Sequence, residues 1–165
     1  MVMVEIGRLT YSDLPEVIEI ERQSFQAPWS LGMFVLELSK PNGVCLAARL
    51  MSGELAGYLI CSRYDTVWHI MSISVCSRLR RRGIAKRLLN HLFEVVDDDG
   101  AHFTLEVRVS NYAATEMYKR FGFESSGLRH RYYQDNGEDA LIMWRTAAEH
   151  GTPGHKAYED VAASA

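Results

Sequence analysis

The chain has 165 residues, 47% hydrophobic and 24% charged, with a formal net charge of −3. This is enough for one domain with a true core, a globular rather than disordered balance, and the wrong sign for a protein built to coat nucleic acid. No apolar run reaches the roughly 20 residues of a membrane span, and the start lacks the basic and apolar stretches of a signal peptide. Cys45, Cys61 and Cys76 form no C-x-x-C, so reduced thiols in a cytoplasmic protein are expected.

Residues 4–9 read as a first strand. Thr10, with Asp13 three positions on, resembles a capping box. The helix behind it carries Leu14, Val17, Ile18 and Phe25 on its buried side, and Pro15 is tolerated in its first turn. Ala27-Pro28-Trp29 breaks that helix, and Ser30 caps a second over 31–38. Pro41-Asn42-Gly43 turns the chain into strands over 44–50 and 54–63, joined by Met51-Ser52-Gly53. A fourth strand covers 68–75. A helix over 84–96 has apolar residues at 84, 88, 89, 92, 93 and 96, one face at a 3.6-residue period. It ends at Asp97-Asp98-Asp99, with Gly100 placed for a left-handed cap.

Residues 103–109 alternate: Phe103, Leu105, Val107 and Val109 on one face, Thr104, Glu106 and Arg108 on the other. Ser110 is placed to cap a helix over 111–120, which stops at Phe121-Gly122-Phe123. Two final strands, 124–133 and 140–145, flank Asn136-Gly137, a strong turn signal. Beyond Arg145 the pattern dissolves, so one domain over 1–147 is expected, followed by a flexible tail over 148–165. The order implies a mixed sheet of about seven strands with about four helices on its two faces, an α/β (mixed α+β) fold.

The joint between the fourth strand and the third helix carries the first functional signal. Arg80-Arg81-Arg82-Gly83-Ile84-Ala85 runs into Lys86. A helix N-terminus offers free N–H donors and a favourable dipole to an anion. Gly83 and the small Ala85 let a phosphate approach the backbone, and the arginines can neutralise its charge. Alone, such a run is equally a solvated basic turn. Neither G-x-G-x-x-G nor G-x-x-x-x-G-K-[ST] is present.

The pattern [Q/R]-x-x-G-x-[G/A] resembles the pyrophosphate loop of the GCN5-related N-acetyltransferases. So does a second run: Leu105-Glu106-Val107-Arg108, then Asn111, Ala114, Tyr118 and Phe121-Gly122-Phe123. Glu21-Arg22-Gln23-Ser24-Phe25 with Pro28-Trp29-Ser30, and Arg131-Tyr132-Tyr133 with Gly137-Glu138-Asp139-Ala140 and Ile142-Met143, are similar to segments of the branch that acetylates protein N-termini. In bacteria that branch acts on the N-terminal alanine of a small-subunit ribosomal protein. The resemblance spans most of residues 4–145. It implies the acyl-CoA N-acyltransferase fold, acetyl-CoA as co-substrate with no metal, direct attack in a ternary complex, and a protein N-terminal peptide as partner. It implies a cytoplasmic monomer with no direct contact to nucleic acid or membrane. The loop departs from many relatives in being Arg-rich and in carrying Ala85 for the commoner Gly.

Acetyl transfer to an amine needs a base, a donor for the developing oxygen charge, and a proton for the departing thiolate. Read from residues alone, Glu106 is a candidate base, although a strand Glu is commonly a solvent-facing charge, here with Arg108 as a possible partner. Tyr118 is a candidate acid, although a helix Tyr is commonly core. The Val75 N–H, freed by a bulge, is the candidate oxygen-binding donor. Cys76 has no evident base, and His69, His91, His102 and His130 lack metal-ligand spacing. The resemblance assigns Glu106 as base and Tyr118 as acid. It assigns Ile73, Ser74 and Val75 to the pantetheine arm, Arg80, Arg81, Arg82, Gly83, Ile84, Ala85 and Lys86 to the pyrophosphate, and Asn111 to another CoA contact. Pro28, Trp29, Tyr132 and Tyr133 are assigned to the peptide entrance. The rival readings are another N-terminus, a lysine or a small amine as acceptor, and a non-catalytic acyl-CoA sensor.

Overall fold

The structure, a computed structural model, describes residues 2–98 and 100–146; the tail expected at 148–165 lies outside them. The strands are β1 (Val4–Arg8), β2 (Gly43–Leu50), β3 (Leu55–Tyr64), β4 (Val67–Val75), β5 (His102–Arg108), β6 (Glu124–Arg129) and β7 (Ala140–Arg145). The helices are α1 (Leu14–Ser24), α2 (Leu31–Ser39), α3 (Ile84–Val96) and α4 (Tyr112–Arg120). One sheet runs in the order β1-β2-β3-β4-β5-β7-β6. All neighbours are antiparallel except β4 and β5, which α3 connects as a parallel crossover. The expected seven strands and four helices are therefore present in the expected order.

The parallel joint is short. It pairs only Val67 with His102, Trp68 with Phe103 and His69 with Thr104. Beyond His69 and Thr104 the strands part, opening a wedge towards the C-terminal ends of both.

Strand alternation sorts side chains into two cores. On one face Ala47, Tyr58 and Ile60 pack with Leu14, Val17 and Ile20 of α1 and Phe34 of α2. On the other, Leu46, Ala48, Leu59 and Cys61 pack with Ile84, Leu88, Leu89 and Leu92 of α3 and Tyr118 of α4. The first eight residues of β3 are buried without a break, because helices cover that strand on both sides.

Local chemistry corrects four expectations. Phe25 is not on the buried face of α1. It is the extended C-cap, 39% exposed, and Ile20 and Glu21 take the buried positions instead. Asp97, not Gly100, is the left-handed cap of α3, with φ 41°; Asp tolerates that region better than most residues, and the Asp98 carboxylate accepts from the Gly100 N–H at 2.9 Å. Asn111, not Ser110, caps α4, its Oδ1 accepting from the Ala114 N–H at 3.2 Å. β6 ends at Arg129, so Tyr132 and Tyr133 lie in the turn rather than in a strand. Arg131 there has φ 51°, which breaks the ladder. By contrast, Ser30 caps α2 as the pattern predicts, accepting from the Met33 N–H at 3.3 Å.

Candidate active site

The wedge exposes an edge of β4. Cys76 donates its N–H to the Ala56 carbonyl of β3, at 2.8 Å. Donors alternate sides along an antiparallel ladder, so Val75 and Ile73 turn their N–H groups away from β3, towards the opening. The bulge expected at Val75 is instead at Met71, where Ile60 pairs with Ser72 and Cys61 with Ile70. The Val75 N–H faces the wedge because β4 and β5 part, not because of a bulge. Ser74 points its side chain to the opposite face and donates to Ser24 Oγ at 2.7 Å.

Arg80 does not reach outward. Its Nε donates to the Val75 carbonyl at 3.0 Å and its Nη2 to Ser24 Oγ at 2.9 Å, fastening the end of β4 to the end of α1. The next residues are built for an anion. Arg81 adopts φ 62° and Gly83 φ 81°, a conformation that costs a non-glycine residue about 1–2 kcal/mol. Apart from the glycine and its two chain neighbours, no atom lies within 4 Å of the position a Gly83 Cβ would take, so the N-terminus of α3 is open above the glycine. Arg81, Arg82 and Lys86 are exposed and form no ion pair among the described residues. Ile84 is buried in the core and Ala85 half-buried, so they offer only backbone N–H groups. These residues fit the pyrophosphate of CoA: backbone donors, open space and uncommitted positive charge converge on one helix end.

Alternation along β5 separates the two candidate proton carriers. Leu105 and Val107 pack with Tyr118 in the α3/α4 core, so Glu106 points to the α1/α2 face. Tyr118 packs on Phe123 with ring centroids 5.7 Å apart. Burial, and then the neighbouring Tyr133, push its phenol up, so it keeps its proton. The partner of Glu106 is not Arg108. His69 Nε2 lies 2.6 Å from Glu106 Oε2, and Arg129 Nε 3.4 Å from Oε1. Burial raises the carboxyl, but the His69 hydrogen bond and the charges of His69 and Arg129 prevail and hold it below the ordinary value.

Arg108 instead holds the β6–β7 turn. It bonds Asp135 at 2.8 Å and Glu138 at 3.3 Å, and its guanidinium stacks 3.9 Å from the Tyr133 ring centroid. The Ser110 hydroxyl and N–H, and then the same arginine, hold the Glu138 carboxyl down at about 2. Tyr132 meets Tyr133 edge-on at 5.1 Å. Burial pushes the Tyr133 phenol up to about 12, and Tyr132 is raised by burial and by Glu106. Across the wedge, Pro28 is exposed and Trp29 half-buried against Phe34 at 5.2 Å. The Trp29 N–H donates to Glu21 Oε1 at 3.0 Å, and the Tyr58 hydroxyl donates to the other oxygen. Burial raises the Glu21 carboxyl despite those donors. Of the two segments expected at a peptide entrance, one is thus tied to α1 and the other to β5.

The fold brings Glu106, Tyr132 and Tyr133 together, and seats the Tyr118 ring in the α3/α4 core with Tyr133 as its neighbour. The Asn111 side chain is committed to its helix cap. His69 and Arg129 join the site without any sequence pattern to announce them: strand register alone puts them there. Among the described residues, no group of three or more His, Cys, Asp or Glu can hold a metal ion, and no helix is long and apolar enough to cross a membrane.

The same architecture and sequence recur in known proteins. Residues 14–123 match the family model described as the acetyltransferase (GNAT) family. The N-alpha-acetyltransferase RimI of Mycobacterium tuberculosis is 36% identical over 152 residues, covering 88% of this chain and 94% of that one. The ribosomal protein bS18-alanine N-acetyltransferase of Escherichia coli K12 is 33% identical over 145 residues, 86% of this chain and 96% of that one. The crystal structure of the ribosomal-protein-S18-alanine N-acetyltransferase from E. coli superposes with a TM-score of 0.81 at 30% identity, over 92% of this chain and 98% of that one. The matched span runs from α1 through the wedge and the open α3 terminus to the end of α4, and on that basis the chain belongs to the acetyltransferase (GNAT) family, as an acetyl-CoA-dependent N-acetyltransferase.

Proposed function

We propose that this protein acetylates the α-amine of a protein N-terminus, with an N-terminal alanine of a small-subunit ribosomal protein as acceptor. The observation that carries the reading is the division of labour across the sheet. The phosphate-binding end of α3 and Tyr118 belong to one face, while Glu106 and the two peptide-side segments belong to the other. The relatives named for N-terminal alanine acetylation support the acceptor class. A cytoplasmic site of action goes with this reading, because ribosomal proteins are made there. We take the enzyme to act as a monomer, since one chain supplies every residue invoked.

Bound acetyl-CoA supplies an acetyl thioester. Glu106 receives the proton of the incoming ammonium at its carboxylate, making the amine a nucleophile. The Val75 N–H, turned into the wedge, donates to oxygen as charge gathers there. Tyr118 keeps its proton until a thiolate needs it. Nucleophile and thioester meet from opposite faces, so attack is direct and no acyl-enzyme is required.

An α-amine has an ordinary pKa of about 8 and a lysine about 10.4, so the α-amine asks less of the base. The test is a panel of short peptides differing only in the first residue, each offered free and N-formylated. Acetylation of the free alanine peptide and none of its formylated twin is expected. Equal turnover of the blocked peptide, or no preference for any first residue over an isolated amine, overturns the reading.

A further inference from the structure

We propose that Arg129 makes this enzyme selective for α-amines: its guanidinium donates to the first carbonyl oxygen of the acceptor peptide while Glu106, beside it, takes the ammonium proton. The inference rests on the reading of Glu106 as the base and of a protein N-terminus as the acceptor.

Strand register places this arginine. Ala140 of β7 pairs with Arg108 of β5 on one side and with Arg129 of β6 on the other. Directly opposed residues share a face of the sheet, and Glu106, two residues before Arg108, shares it too. Two strand spacings, roughly 10 Å, separate β5 from β6. The methyl group of Ala140, fully buried between them, does not block the way. The long side chain of Arg129 therefore crosses β7 and brings its Nε within 3.4 Å of Glu106 Oε1. On its way it passes the tyrosine turn, with the guanidinium 5.9 Å from the Tyr132 ring centroid.

The two arginines that flank Ala140 are used differently. The Arg108 guanidinium is spent on the turn: it bonds Asp135, Asn136 and Glu138 and stacks on Tyr133. The Arg129 guanidinium makes no hydrogen bond among the described residues, and its Nε is buried. A buried donor ordinarily has an acceptor; here Glu106 attracts the cation by charge without accepting from it. The side chain keeps 31% of its exposure, which leaves room for an acceptor group that arrives with the substrate.

Substrate chemistry says which group that is. At a peptide N-terminus the amine and the first carbonyl are joined to the same carbon, so the oxygen lies about 3–4 Å from the nitrogen by standard bond lengths. An ammonium on Glu106 Oε1 therefore brings its own carbonyl oxygen to the guanidinium next door. The carbonyl fills the open donors, and its dipole offsets the repulsion between ammonium and guanidinium. A lysine side chain sets its ammonium beside the same cation with only methylene groups behind it. It meets the repulsion and leaves the donors unfilled, and an unfilled buried donor is costly. Arg129 thus selects by position, in addition to the selection by amine basicity.

The test compares kcat/KM for two amines: a short peptide with a free N-terminal alanine, and its twin in which the first carbonyl is reduced to a methylene. Both are offered to the parent, Arg129→Met, Arg129→Gln and Arg129→Lys, with CoA affinity as the folding control. Loss of Arg129 also alters the surroundings of Glu106, but that acts on both amines and cancels in their ratio. The difference in amine basicity cancels likewise between parent and variant. Arg129→Met and Arg129→Gln are each expected to lower the preference for the carbonyl-bearing peptide by about tenfold or more, the size of a hydrogen bond to a charged group. Arg129→Lys, which keeps the charge and loses the planar fork, is expected to retain part of the preference. A ratio equal to the parent's in either uncharged variant that binds CoA, even with both rates lowered, overturns the role of Arg129 and leaves base and acceptor standing. A parent that does not acetylate the alanine peptide overturns the reading beneath.

Discussion

At Glu106 a carboxylate from β5 meets the imidazole of His69 from β4 and the guanidinium of Arg129 from β6. The alternation of residues 103–109 was legible in the sequence, and so was the polar side on which Glu106 falls. Its partners were not, because the local pattern points to Arg108 while the register of three strands supplies His69 and Arg129. Those partners hold the carboxyl below its ordinary value, so on acidification it stays ionised past the point where an isolated glutamate protonates. The acid limb of the rate profile is therefore expected to reflect the amine and its proton carriers, with no step near the ordinary glutamate value. Glu106→Gln should lower kcat by roughly 10²–10⁴-fold near neutrality and leave CoA affinity, measured by calorimetry, unchanged. The gap should close as pH rises past about 8 and free amine accumulates; a gap constant to pH 9.5 contradicts the assignment.

The elements are legible in the sequence because their signals are local: the 3.6-residue period of α3, the alternation of β5, the Ser30 cap. Structure departs from local pattern at element ends, where Asp97 takes the left-handed cap expected of Gly100 and Arg131 turns the chain out of the sheet. The wedge had no local signature. It arises because the β4–β5 joint stops at His69 and Thr104, and pairing length is a tertiary property. At the start of α3, Gly83 combines a left-handed backbone with open space above it. A valine there is strained in the backbone and also covers the anion site. Gly83→Val is expected to weaken CoA binding at least tenfold. Arg81→Ala, which keeps the backbone donors and removes one exposed charge, should cost only a few-fold. Calorimetry on both, with thermal melts to follow the strain, checks this. CoA affinity in Gly83→Val equal to the parent's sinks the cradle.

Across the whole molecule, the sheet acts as a partition with one slit. The α3/α4 face presents the phosphate cradle and Tyr118; the α1/α2 face presents Glu106, His69, Trp29 and the tyrosine turn. Two ties keep the rims of the slit in register with the strands: Glu21 and Tyr58 under Trp29, and Arg108 with Glu138 and Asp135 under Tyr133. In the function proposed here, a chain end enters from one side and the thioester from the other. The central claim is that the chain end is an α-amine. The most direct measurement offers one peptide carrying both a free N-terminal alanine and an internal lysine, with mass-spectrometric location of the acetyl group after partial turnover at pH 7. The expected result is acetyl on the alanine nitrogen alone; acetyl on the lysine, with the N-terminus still free, would contradict the account.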